Sequence, residues 1–108
     1  MTVVSINELS DGFVFECKGH SGYAEKGFDI VCAGISALCS ALAARLSELA
    51  DEYIICIEYF HCADGEMYIE VRYGSDPVCR IKALDALDTV RCGLELIEAE
   101  YPDNLFIE

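Results

Sequence analysis

The sequence predicts an α+β fold with helices packed on a mainly antiparallel sheet. Three observations carry this: two pairs of strand-like segments joined by turn residues, two long segments with helical apolar spacing, and the alternation of these groups along 108 residues. The length and a 54 % apolar content fit a single domain over 1–108 with one core and no linker.

Residues 2 to 7 and 13 to 18 alternate as strands do, with Phe13, Phe15 and Cys17 on one face and Ser10-Asp11-Gly12 as the turn. The next segment, Gly19 to Gly27, is too rich in glycine for a regular element and reads as a mobile surface loop. From Asp29 onward, Val31, Ile35, Leu38, Leu42, Leu46 and Leu49 recur on one stripe of a helix ending near Ala50. Residues 53 to 61 and 66 to 73 form a second hairpin around Ala63-Asp64-Gly65. Ser75 or Asp76 then caps a helix that admits Pro77 in its first turn and buries Ile81, Leu84, Leu87, Val90, Leu94 and Ile97. Tyr101-Pro102-Asp103 stops that helix. Leu105-Phe106-Ile107 offers a short last strand, so the order is ββαββα(β).

Charge and cysteine usage narrow the function classes. Twenty acidic against seven basic residues give a net charge of −13, which repels phosphate backbones and anionic lipid surfaces. No direct nucleic-acid partner is expected, and a basic protein or peptide suits the field better. Charged and small polar residues interrupt the apolar runs before the roughly 20 residues that span a bilayer. The first residues have neither a basic start nor an apolar core of a leader, so no membrane partner and a cytoplasmic location are expected. Seven cysteines, an odd number without a CxxC pair, read as mostly reduced thiols.

Cys32 falls in the first turn of the first helix, with Asp29 in the N-cap position. Unpaired N–H groups and the positive end of a helix favour a thiolate placed there, and the thiolate is the nucleophilic form. The same N–H groups are candidates for an oxyanion hole. His20, one of two histidines, lies in the glycine loop that must return to this helix start. An imidazole within reach of Cys32 takes the thiol proton and returns it to a leaving amine, and Asp29 is placed to orient it. Ser36 follows Cys32 by one helical turn and shares its face.

Duller readings stand beside these. A cysteine on a helix is usually core, and an aspartate before one is usually a cap. Ser36, Cys39, Ser40, Ala43 and Ser47 form a run of small residues that admits a neighbouring helix. Cys17 and His20 with His61 and Cys62 are zinc-type ligands, but adjacent strand residues point to opposite faces. Gly22 to Gly27 begins like a phosphate loop, and Phe28 stands where that loop needs lysine. No metal or cofactor is assigned.

The stretch Gly19-His20-Ser21-Gly22-Tyr23-Ala24-Glu25-Lys26-Gly27-Phe28-Asp29-Ile30-Val31-Cys32-Ala33-Gly34-Ile35-Ser36-Ala37-Leu38 resembles the defining segment of the ribosomal-processing cysteine protease family. It joins a Gly-His pair, a glycine loop, an Asp-Ile-Val-Cys-Ala core and a following serine, and the flanking element order is similar through Tyr101-Pro102-Asp103. The resemblance implies a small homodimeric α+β cysteine endopeptidase that removes the N-terminal extension of a large-subunit ribosomal protein. It carries catalysis to His20 and Cys32, with Asp29 as the matching acid and Gly19, Gly22 and Ser36 as substrate-binding positions. The other six cysteines lie outside the family pattern and are assigned to packing. The alternative is a non-enzymatic ribosome-assembly or peptide-binding module in which Cys32 is incidental.

Overall fold

A computed structural model describing all 108 residues has the element order expected from the sequence. β1 (Thr2–Glu8) and β2 (Gly12–Lys18) form the first hairpin, and α1 (Ile30–Asp51) follows. β3 (Ile55–Ala63) and β4 (Glu66–Tyr73) form the second hairpin, followed by α2 (Pro77–Glu100) and β5 (Leu105–Ile107). One five-stranded sheet runs β3-β4-β2-β1-β5. Its pairings are antiparallel except β5 with β1, which is parallel and sets Thr2 opposite Leu105.

Alternation puts Val4, Phe13, Phe15, Met67, Ile69 and Val71 on one face of this sheet, where they join Leu42, Leu46 and Leu49 of α1 and Leu87 and Leu94 of α2 in one core. Each fully buried side chain of this size contributes about 1.5–3 kcal/mol relative to exposure. The Asp76 carboxylate accepts from the Val78 N–H, so Asp76 caps α2 with Pro77 in the first turn.

Several sequence expectations are corrected. The buried stripe of α1 uses Cys39, and Leu38 lies half-buried at its flank. The helices approach each other through glycines instead of the small-residue run: a side chain at Gly93 would meet Leu38 at 2.9 Å, and one at Gly34 would meet Ile97 at 3.3 Å. Ser36, Ser40 and Ser47 face solvent. In α2, Ile81 is exposed and Cys79 and Ala83 are buried in its place. Cys56, Cys62 and Cys92 are exposed, so packing does not account for all the cysteines.

α1 ends one residue past the expected place because Tyr53, with φ 59°, adopts the left-handed turn that glycine usually supplies. α1 has 22 residues and contains an 18-residue stretch of mean hydropathy 1.7, so it is long and apolar enough to cross a membrane by length and composition, which the interrupted runs had hidden. Its leucine stripe is packed against the sheet.

A bulge between Ile57 and Tyr59 resets the face of β3. Beyond it, Phe60 and Cys62 pair with Ile69 and Met67 on the helix side, while Tyr59 and His61 pair with Glu70 and Tyr68 on the outer side. The second hairpin thereby brings Cys62 and the following turn toward the start of α1.

Candidate active site

The site is built where β2 leaves the sheet and the chain returns to begin α1. Gly19, with φ +97°, makes the exit, and a Cβ there would lie 2.5 Å from the Met1 carbonyl oxygen. Only glycine combines this angle with this approach. His20 follows and is exposed, with its ring lying over Gly65 in the β3–β4 turn. A Cβ at Gly65, whose φ is +73°, would lie 2.8 Å from Nε2 of His20.

The loop has a defined course organised by one carboxylate. Oδ2 of Asp29 accepts from the Ser21 hydroxyl and from the N–H groups of Tyr23 and Ala24, at 3.1 and 3.4 Å for the latter two. Oδ1 accepts from the Cys32 N–H at 2.8 Å. Asp29 is therefore the N-cap of α1 and the anchor of the loop at once. The Ser21 hydroxyl, foremost, and the backbone donors hold its carboxyl below the ordinary carboxylate range, against a smaller opposing effect of desolvation. The Asn104 side-chain amide donates to the Ser21 carbonyl at 2.9 Å, and Tyr23 meets Tyr101 edge to face at 5.4 Å. The loop is thus tied to the turn after α2.

Cys32, half-buried, occupies the third helical position. Its own N–H is taken by Asp29, which removes it from the oxyanion donors expected at the helix start. The Ile30 and Val31 N–H groups remain without acceptors within the helix.

Two adjoining cavities meet at the helix start, one of about 140 Å³ and one of about 540 Å³. His20, Cys32, Ser36 and Asp64 line both; Gly19 lines the smaller, and Gly22 and Asp29 the larger. The structure thus brings together Gly19, His20, Gly22, Asp29, Cys32 and Ser36, the positions assigned to the site from the sequence. It gives His20 and Cys32 one shared cleft without a hydrogen bond between them, and Asp29 has no hydrogen bond to His20. Lys26 and Asp64, 3.5 Å apart, join the loop to the second hairpin beside the cleft.

Sequence reasoning missed Ser21, Gly65 and Asn104. Ser21 reads as an ordinary loop serine, yet it is only 1 % exposed because its hydroxyl is turned onto Asp29. Gly65 carries a turn signal but nothing that announces a histidine above it, and Asn104 acts across a sequence separation of 83 residues. The alternation that counts against a zinc site joining His61 and Cys62 is present: His61 faces Glu66 at 3.9 Å on the outer side and Cys62 faces the smaller cavity.

Comparison with known proteins places this site in context. The family model described as Cysteine protease Prp matches residues 1–106. The chain is 36 % identical over 92 residues to the ribosomal processing cysteine protease Prp of Bacillus subtilis, covering 84 % of this chain and 80 % of that protein. It also superposes on the essential ribosomal processing protease Prp of S. aureus in complex with a covalently linked product peptide, with a TM-score of 0.76 and 26 % identity. The same S. aureus protease in complex with a substrate peptide gives 0.70 and 25 % identity. Both superpositions cover 100 % of this chain and 98 % of the other.

An α+β fold of this topology with a thiol at a helix start, matched to these relatives, defines a cysteine protease. The chain belongs to the cysteine protease Prp family.

Proposed function

We propose that this protease removes the N-terminal extension of a large-subunit ribosomal protein, with Cys32 as nucleophile and His20 as base. The observation that carries the proposal is the shared cleft: Cys32 at the start of α1 and His20 from the loop line the same two cavities. In the reaction, His20 takes the Cys32 proton as Sγ attacks the scissile carbonyl. The tetrahedral oxyanion collapses to a thioester, and His20 returns the proton to the leaving amine. Water then hydrolyses the thioester. Ile30 and Val31 offer the N–H groups nearest in sequence to the developing charge.

Asp29 acts through position: by capping α1 and gathering Ser21, Tyr23 and Ala24 it fixes the segment that carries His20 relative to Cys32. Gly19, Gly22 and Ser36 line the space in which the peptide lies. The ribosomal substrate is supported by the names of the relatives and by a net charge of −13, which favours encounter with a basic protein. Action as a homodimer in the cytoplasm completes the proposal.

The test is cleavage of the organism's own N-terminally extended ribosomal protein by purified variants. Cys32→Ala is expected to abolish cleavage with an unchanged circular dichroism spectrum, and Cys92→Ala, an exposed thiol on α2, to retain it. Processing by Cys32→Ala would overturn the assignment. Binding of the extension without cleavage by the unaltered protein would favour a peptide-binding module.

A further inference from the structure

His20 stands between two anchored neighbours, each held by a different part of the fold. The Gly19 N–H donates to the Gly65 carbonyl at 2.8 Å, which ties the residue before His20 to the β3–β4 turn. Ser21, the residue after it, is held twice: its hydroxyl donates to Asp29, and its carbonyl accepts from the Asn104 side-chain amide at 2.9 Å. Asn104 is itself fixed. Its backbone N–H donates to the Tyr101 carbonyl and its carbonyl accepts from the Thr2 N–H, both at 3.0 Å, so the end of α2 and the start of β1 set the direction of its side chain. Thr2, 3 % exposed, also turns its hydroxyl toward the Gly19 carbonyl at 3.5 Å.

We propose that Asn104 is a positioning residue for the reaction, which keeps the His20 imidazole at its working place beside Cys32 by fixing the Ser21 carbonyl. The proposal rests on the reading of His20 as the base for Cys32. The imidazole rests on Gly65 by contact alone, so its aim is inherited from the backbone on either side. Asn104 lines neither cavity, which sets it apart from the groups that meet the peptide.

The carbonyl that Asn104 satisfies belongs to a residue only 1 % exposed, and a buried carbonyl left without a donor is costly. Without the amide, the cheapest repair is to rotate the peptide between residues 21 and 22 toward solvent. Gly22, with φ +71° and open space where a Cβ would be, offers little resistance. The bond from Ser21 to Asp29 does not prevent this rotation, because it is made through a side chain that turns about its own bond. His20 would then lose its backbone tether on the C-terminal side, while Asp29 still caps α1 and Cys32 stays in place.

The test is cleavage of the organism's own N-terminally extended ribosomal protein by the full chain, unaltered and as Asn104→Asp, Asn104→Ala, Asn104→Gln and His20→Ala, at a temperature where circular dichroism shows every variant folded. Asn104→Asp keeps the size and removes the donor, Asn104→Ala removes it without adding charge, and Asn104→Gln keeps an amide. In the first two, kcat is expected to fall roughly tenfold to a hundredfold with KM within about twofold, the mark of a displaced catalytic group, and Asn104→Gln should recover part of the loss. A kcat within about twofold of the unaltered protein in both, with His20→Ala inactive, would overturn the proposal and leave His20 as the base. A rise in KM as the main effect, or a loss that follows the fall in Tm instead of the loss of the donor, would overturn it as well. Full activity of His20→Ala would remove the base assignment and this proposal together.

Discussion

Asp29 ties the start of α1 to the glycine loop without a hydrogen bond to His20. Its two oxygens divide the work, Oδ1 for the Cys32 N–H and Oδ2 for the loop. Asparagine has a single acceptor oxygen, so Asp29→Asn must give up either the cap or the loop. It is expected to lower both kcat/KM and Tm at neutral pH. The acid behaviour follows from the direction of the shift: a carboxyl held below its ordinary value stabilises the fold above about pH 4 and loses that contribution as pH falls through its lowered value. Thermal melts from pH 7 downward should therefore show the unaltered protein losing its advantage over Asp29→Asn in acid. A constant difference would mean that the carboxylate charge is not what holds the loop. The sequence made Asp29 legible as a cap from its place before an apolar stripe. It did not make Ser21 legible, because a hydroxyl turned onto a carboxylate eight residues away leaves no periodic trace.

Among the elements, the hairpin of β3 and β4 reaches furthest into the site. Its turn was legible from Asp64-Gly65, but its service to His20 was not, since no local pattern relates residue 20 to residue 65. Gly65→Asn tests that service. Asparagine tolerates a positive φ better than other residues, so most of the roughly 1–2 kcal/mol cost of a left-handed side chain is avoided, while its Cβ still meets the imidazole. The expected result is a loss of tenfold or more in kcat with only a small change in Tm. Activity retained at the level of the unaltered protein would show that His20 reaches its working position without the ring lying over this turn. The helices illustrate a related limit of sequence reading. Spacing located both stripes, yet Ile81 lies outside the core because a shift of two residues is about half a helical turn, and Cys79 and Ala83 hold the phase that the core accepts.

For the whole molecule, the excess of acidic residues sets a long-range field that no single contact explains. If that field gathers a basic substrate, raising ionic strength from 0.05 to 0.5 M, about a threefold fall in Debye length, should lower kcat/KM several-fold and leave kcat nearly unchanged. A kcat/KM indifferent to salt would reduce the charge to a matter of solubility. The strand order and the parallel seating of β5 on β1 lay outside what spacing reveals, because alternation identifies a strand's faces but not its neighbours. The meeting of two unequal cavities at Cys32 also bears on the chemistry of covalent inhibitors. An electrophile fixed to that sulfur would have a compartment of about 140 Å³ on one side, walled in part by Cys17, Cys39 and Cys62, and on the other a larger compartment of about 540 Å³ that reaches Lys26 and Asp29. The two arms of such a compound would have to differ, with a short polarizable group for the first and an extended hydrogen-bonding one for the second. Selectivity would reside in the short arm, where the walls are cysteines from outside the family's His-Cys segment.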